Sequence, residues 1–192
     1  MSNYKLVYDT ETSGLPFKKR GSKYDYQNLQ HFDSARLVSI SWLLLDDKNE
    51  IVEKNTYFIK PDNFEVSEQS IKIHKLSKEF LNDNGCDIHE LLLHLNGLFE
   101  EYNITQLIAH NIDFDINILM SELFRYKYSI TLEKIRNIQL YCTMFGAQTK
   151  MGVKKWPKLT EAYKYFYGED ITNAHNSEFD TLHCYKIYLK LV

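Results

Sequence analysis

The chain has 192 residues, 44% of them apolar, a length and composition suited to one domain that buries its own core. Its 26 acidic and 23 basic side chains leave a net charge of −3, which excludes the broad basic excess of a general nucleic-acid binder; an acidic site holding cations could still attract a phosphate locally. No run approaches the ~18 consecutive apolar residues of a membrane span.

Residues 5–9 read as a short buried strand leading into Thr10-Glu11-Thr12-Ser13-Gly14. Residues 17–34 follow as a long polar loop, with Lys18, Lys19, Arg20 and Lys23 near its start. Loops of that length are often functional or mobile. Residues 37–45 and 51–60 are rich in strand formers and flank an Asp46-Asp47-Lys48-Asn49 turn, so the first three strands are expected to form an antiparallel meander. Residues 88–102 carry Ile88, Leu91, Leu92, Leu95, Leu98 and Phe99 at helical spacing. A short strand at 107–109, a helix at 113–126, a strand at 135–142 and helices at 159–167 and 177–191 complete the order. The pattern predicts a single α/β domain, 1–192, with a mixed sheet flanked by helices.

Cys86, Cys142 and Cys184 are odd in number, far apart and form no C-x-x-C. They speak against a disulfide framework or zinc site and for a reducing, intracellular setting. Met1 to Tyr4 run straight into the first strand, so no signal peptide is expected.

Three local patterns carry candidate chemistry, and each has a plain structural alternative. Asp9 and Glu11, two apart on a strand, share one face at roughly 7 Å along the backbone. That separation could straddle two cations, or simply mark a solvated strand end. In Ala109-His110-Asn111-Ile112-Asp113-Phe114-Asp115, Asp115 is a candidate ligand. The alternative makes Asn111 an N-cap, with both aspartates complementing the helix dipole. In His175-Asn176-Ser177-Glu178-Phe179-Asp180, Ser177 and Asp180 also fit a capping box. On one helix His175 and Asp180 would point about 140° apart, so the histidine must lie in the loop before the helix if both face one site.

Taken together, strand-borne D-x-E, H-N-x-x-F-D entering a helix, and H-x-x-x-x-D resemble the DEDDh branch of the DEDD exonuclease superfamily, the group of the DNA polymerase III epsilon proofreading subunit. Tyr8-Asp9-Thr10-Glu11-Thr12-Ser13-Gly14-Leu15 resembles that family's opening motif, and Ile73-His74-Lys75-Leu76-Ser77 its I-H-G-I-[ST] segment. The likeness spans residues 5–189. It implies a ribonuclease H-like fold and a two-metal-ion 3′→5′ exonuclease. Asp9, Glu11, Asp115 and Asp180 would hold two Mg²⁺ or Mn²⁺ ions, with His175 as general base. It also implies that Thr12, Gly14, Leu15, Ile73 and His74 receive the terminal nucleotide, although Ile73 could equally be core packing. Lys75 stands where the family often has glycine, Ser177 where it often has alanine, and the 17–34 segment exceeds that of compact proofreading domains.

The basic segment around Trp156, including Lys154 and Lys155, could hold single-stranded backbone and stack a base. The alternative is a solvated loop anchored by a buried Trp. The expected partners are 3′ ends of DNA, with RNA as the alternative and a polymerase or other replication or repair protein as a further one. A non-catalytic binding module on the same fold is the rival class.

Overall fold

The computed structural model describes residues 2–17, 21–171 and 174–192. Lys18, Lys19 and Arg20, the basic start of the 17–34 loop, lie outside them. Five strands, β1 (Tyr4–Thr12), β2 (Leu37–Leu45), β3 (Ile51–Phe58), β4 (Ile104–Ala109) and β5 (Gln139–Cys142), form one sheet in the order β3-β2-β1-β4-β5. β1 pairs antiparallel with β2, and β2 with β3, as the meander predicts. β4 joins β1 in parallel and β5 joins β4 in parallel. This is the expected mixed, ribonuclease H-like sheet.

Eight α-helices flank it among the described residues: α1 (Glu68–His74), α2 (Lys78–Asn84), α3 (Ile88–Glu101), α4 (Ile112–Arg125), α5 (Ser129–Arg136), α6 (Thr143–Met151), α7 (Leu159–Tyr167) and α8 (Ser177–Leu191). Strand alternation sorts the sheet into two faces. Leu6, Tyr8, Ile40, Trp42, Leu44 and Leu107 pack against α3, α4 and α5. Val7, Leu43, Leu45 and Ile108 pack against Cys184 and Tyr188 of α8. Asp9 and Glu11 continue the parity of Val7 and so face α8.

The structure corrects several local readings. The apolar stretch 135–142 is not one strand: Ile135 is the buried end of α5, and pairing starts at Gln139. α1, α2, α5 and α6 were not read from the sequence. The 17–34 segment contains a 3-10 turn at Leu29–Phe32 with Phe32 fully buried, and Phe17 N–H donates to His31 O at 2.7 Å. No helix among the described residues is long and apolar enough to cross a membrane.

Candidate active site

Asp9 and Glu11 leave the C-terminal half of β1 toward α8, and Asp180 rises from the first turn of α8 to meet them. One oxygen from each of the three carboxylates lies within 4.8 Å of the others. Asp115, on the first turn of α4, falls outside that tight group. Its buried Oδ1 instead accepts from the backbone N–H and the hydroxyl of Thr10, at 3.0 and 2.7 Å. Thr10 thereby ties the carboxylate of α4 to the strand that carries Asp9 and Glu11. Sequence reading passed over Thr10, because strand parity turns it away from its acidic neighbours.

The capping reading holds at the start of α4, where Asp113 and Asp115 occupy the first turn, and fails at the start of α8. Asn111 does occupy the N-cap of α4, but in the left-handed conformation (φ 72°) and with no side-chain cap bond. The cap of α8 is Asn176, whose Oδ1 accepts from the N–H groups of Glu178 and Phe179. There is therefore no Ser177–Asp180 capping box. Ser177 Oγ is buried between Ser39 Oγ (2.8 Å) and Ser41 Oγ (2.9 Å), and Ser41 continues to Thr56 Oγ1 at 2.9 Å. The hydroxyl pins the start of α8 to β2. Asp180 Oδ2 accepts from the backbone N–H of His175 at 2.9 Å. His175 lies in the preceding loop, as the geometry of an H-x-x-x-x-D spacing requires, and its side chain is exposed.

Burial is the first influence on all four carboxyl groups. Burial raises Asp9 well above the ordinary carboxylate range, and Asp115, Glu11 and Asp180 raise it further. Burial, then Asp180 and Asp115, push Glu11 to about 8. Asp115 reaches about 7 through burial, opposed by its two bonds from Thr10. Asp180 is raised by burial and eased by the N–H and charge of His175. Asp180 Oδ1 is buried with no hydrogen-bond partner. A buried, acceptor-only oxygen set with an orphaned member suits hard divalent cations such as Mg²⁺ or Mn²⁺.

Beside the cluster opens a cleft of about 240 Å³. Glu11, Thr12, Gly14 and Leu15 form one side, and Ile73 and His74 of α1 the other. Phe114, the aromatic of H-N-x-x-F-D, also lines it, as do Ser67 and Ser70, which no sequence motif marked. Leu15 is 75% and Ile73 45% exposed, so Ile73 is not core packing. His74 is buried; its Nδ1 accepts from Leu76 N–H at 3.0 Å, and its pKa is lowered by burial first, with His175 nearby adding to the effect. Lys75 itself adopts the left-handed conformation (φ 65°) that glycine would supply, and it caps α1. Gly14 leaves no room for a side chain: a Cβ there would sit 2.4 Å from Ser34 O.

Lys154, Lys155 and Trp156 stand apart from this cleft on the loop between α6 and α7. Trp156 is 65% exposed, so it is no buried anchor. A larger groove of about 440 Å³ between β3 and α8, lined by Lys54, Thr56, Phe179 and Leu182, contains none of the four carboxylates.

Solved structures share this architecture. The zinc-bound E. coli ExoI–ssDNA complex superposes with a TM-score of 0.74 at 16% identity, covering 100% of this chain and 40% of that one. A product-bound structure of exonuclease I gives 0.72 at 14% identity, covering 100% and 43%. E. coli exonuclease I with a dT13 oligonucleotide gives 0.70 at 14%, covering 97% and 40%. The chain thus spans about 40% of the length of these proteins, and at such identity the likeness speaks for the fold. No curated protein sequence matches significantly. A family profile described as exonuclease (RNase_T) matches residues 6–188. The chain therefore belongs to the RNase T exonuclease family of the DEDD superfamily.

Proposed function

We propose that this chain removes nucleotides one at a time from the 3′ end of DNA, single-stranded or frayed, releasing nucleoside 5′-monophosphates. The observation that carries the reading is the meeting of Asp9, Glu11 and Asp180 oxygens within 4.8 Å at the mouth of a cleft sized for little more than a terminal nucleotide. Solved proteins of the same fold were captured with single-stranded DNA oligonucleotides.

Asp9, Glu11, Asp180 and the Oδ2 side of Asp115 would hold two divalent cations, Mg²⁺ or Mn²⁺. Such a pair lowers the pKa of water and stabilises charge on the departing 3′ oxygen. The chain's own residues do the rest. Leu15 and Ile73, both exposed in the cleft lining, would hold the terminal base. The close approach of Gly14 to Ser34 lets the backbone of Thr12 to Leu15 form the floor. His175, exposed and tethered to Asp180 through its backbone, would take the proton from the attacking water. Lys154, Lys155 and Trp156 would meet the strand farther back.

The test uses end-labelled single-stranded DNA, duplex DNA and RNA, each with Mg²⁺, Mn²⁺ or chelator. Stepwise shortening from the 3′ end with release of 5′-mononucleotides, abolished by chelator, is expected. Shortening from the 5′ end, or turnover indifferent to chelation, would overturn the proposal; faster loss of RNA than of DNA would move it to an exoribonuclease.

A further inference from the structure

Three aromatic rings outside the cleft are exposed on α6, on the loop after it and on α7. Phe145 on α6 is 49% exposed, Trp156 on the following loop 65%, and Tyr165 on α7 55%. Phe145 and Trp156 meet edge to face, with centroids 5.9 Å apart. The Tyr165 hydroxyl reaches Lys150 O, at the C-terminal end of α6, at 3.4 Å. Phe145 and Lys150 are five residues apart, about 7.5 Å of helix. Along the helix axis the Phe145–Trp156 pair and the carbonyl that holds Tyr165 are thus about 7.5 Å apart. Lys150, Lys154 and Lys158 are exposed around these rings and make no ion pair among the described residues, whereas Lys155 is paired with Glu161.

The Trp156 end of this group is fastened to the turn that opens the helix of Asp115. His110 Nε2 lies 3.0 Å from Pro157 O, and its Nδ1 lies 3.0 Å from Thr143 Oγ1 at the start of α6. A carbonyl only accepts, so Nε2 carries the proton and Nδ1 accepts from the threonine hydroxyl. His110 directly precedes Asn111, the cap of the helix that carries Asp115. The loop that carries Trp156 is thus tied, through His110, to the start of the helix that carries Asp115.

We infer that Phe145, Trp156 and Tyr165, with Lys150, Lys154 and Lys158, form a stacking track for the unpaired bases of a single nucleic-acid strand whose 3′ end lies in the cleft. The inference rests on the proposed exonuclease reading for the strand's direction. Exposed π faces interleaved with free cations match the two needs of such a strand: bases that stack without regard to sequence, and phosphates that seek positive charge. A duplex, whose base faces are already stacked on each other, offers the rings nothing.

The test follows Trp156 fluorescence in chelator, where nothing is cut, during titration with a twelve-residue oligothymidylate, a trimer, a twelve-residue oligouridylate and a blunt duplex. The other tryptophan, Trp42, is buried. The single strands should quench the emission, Trp156→Phe should remove the response, and the duplex should leave it unchanged. Phe145→Ala and Tyr165→Ala should each cut the affinity advantage of the twelve-mer over the trimer at least about fivefold. Oligouridylate binding as well as oligothymidylate assigns the track to either polymer; weaker binding assigns it to DNA. Variants that keep the wild-type length advantage, or a duplex that quenches as strongly as the single strands, would overturn the track. Hydrolysis of the twelve-mer with Mn²⁺ is measured alongside, and its absence would count against the proposed reaction alone.

Discussion

Asp180 holds His175 by the backbone rather than by the ring: the His175 N–H donates to Asp180 Oδ2 at 2.9 Å. His175 has φ of 68°, a left-handed conformation that costs a non-glycine residue about 1 kcal/mol. A charge-assisted hydrogen bond at that point keeps the loop in place and leaves the imidazole free to move. It also leaves Asp180 Oδ1 without a protein partner and available to a cation.

The two residues should therefore fail differently. His175→Gln should lower kcat by about 10²–10⁴-fold, the usual worth of a general base, while a Mn²⁺-induced rise in Tm persists. Asp180→Ala should abolish turnover and weaken that rise, with the far-UV circular dichroism unchanged. A His175→Gln variant within a few-fold of the wild-type rate would remove the histidine from the reaction.

The crowded carboxylates make cation binding legible in stability. Glu11 titrates at about 8 and Asp115 at about 7 in the folded chain, against ordinary values of 4.5 and 3.8. Between those values the folded state holds protons that the unfolded chain has released, so stability falls as pH rises. Their contribution is fully present below about pH 4 and lost by about pH 8. Chelated protein should thus lose Tm from about pH 5 to pH 8, and Mg²⁺ or Mn²⁺ should restore more at pH 8. Glu11→Gln should raise the Tm of the chelated protein at pH 8. A cation effect independent of pH would sink the idea.

His110 works in the opposite direction. Burial drives its pKa down from 6.5 to about 4, only partly offset by its bond to Pro157 O. The unfolded chain binds this proton between about pH 6.5 and 4 while the folded chain does not. The histidine's share of stability is therefore present above about pH 6.5 and lost as pH falls toward 4, on the order of 3 kcal/mol in all. His110→Gln keeps a donor for the carbonyl but cannot titrate, so its urea midpoint should fall less steeply with acid than that of the wild type. Parallel pH profiles for the two proteins would contradict this.

What the sequence disclosed follows from which forces are local. The meander, α3, α4 and α8 were legible because long elements repeat their apolar residues at the period of the structure they form. α1 and α2 have seven residues each and little buried surface, so they carry no stripe. α6 packs closely through Gly146, where an added Cβ would lie 2.8 Å from the Leu191 side chain, and small residues leave a weak pattern. At the candidate site, the order of the motifs rather than any local preference singles out the four carboxylates and His175, and the structure brings oxygens of Asp9, Glu11 and Asp180 within 4.8 Å. Ser177 was misread because its true partners, Ser39 and Ser41, lie 138 and 136 residues away. No window of sequence contains that pairing.

Those serines yield a stability prediction. Ser177 Oγ joins the buried hydroxyls of Ser39 and Ser41, which otherwise face only the sheet and α8. Ser177→Ala would strand at least one buried hydroxyl, at a cost of about 1–3 kcal/mol. Replacing Ser39 by alanine as well should recover part of that loss, because fewer polar groups are then left unpaired. Measured by urea denaturation, an equal or greater loss in the double variant would argue against the hydroxyl chain.

Arg36 and Glu122 connect the core to the lip of the cleft. Arg36 Nε and Nη2 donate to the two oxygens of Glu122 at 2.7 and 3.1 Å, and Leu37 N–H adds a third bond to Glu122 Oε1. Both side chains are nearly out of solvent, at 9% and 1% exposure. The backbone of Arg36 in turn binds Ser13 in both directions, accepting from its N–H at 2.8 Å and donating to its Oγ at 2.9 Å. Ser13 lies between Thr12 and Gly14, which line the cleft. Removing one partner of a buried pair leaves a charge that Arg125, 3.7 Å from Glu122 Oε2, offsets only in part, so Arg36→Met should cost toward the lower end of about 3–5 kcal/mol, while Arg36→Met with Glu122→Leu should cost less. The double variant should fold, and because the Arg36 backbone keeps its bonds to Ser13, its KM for a short oligonucleotide should stay within about threefold of wild type. A double variant less stable than Arg36→Met alone would mean that Glu122 stabilises this region through Leu37 rather than through the arginine.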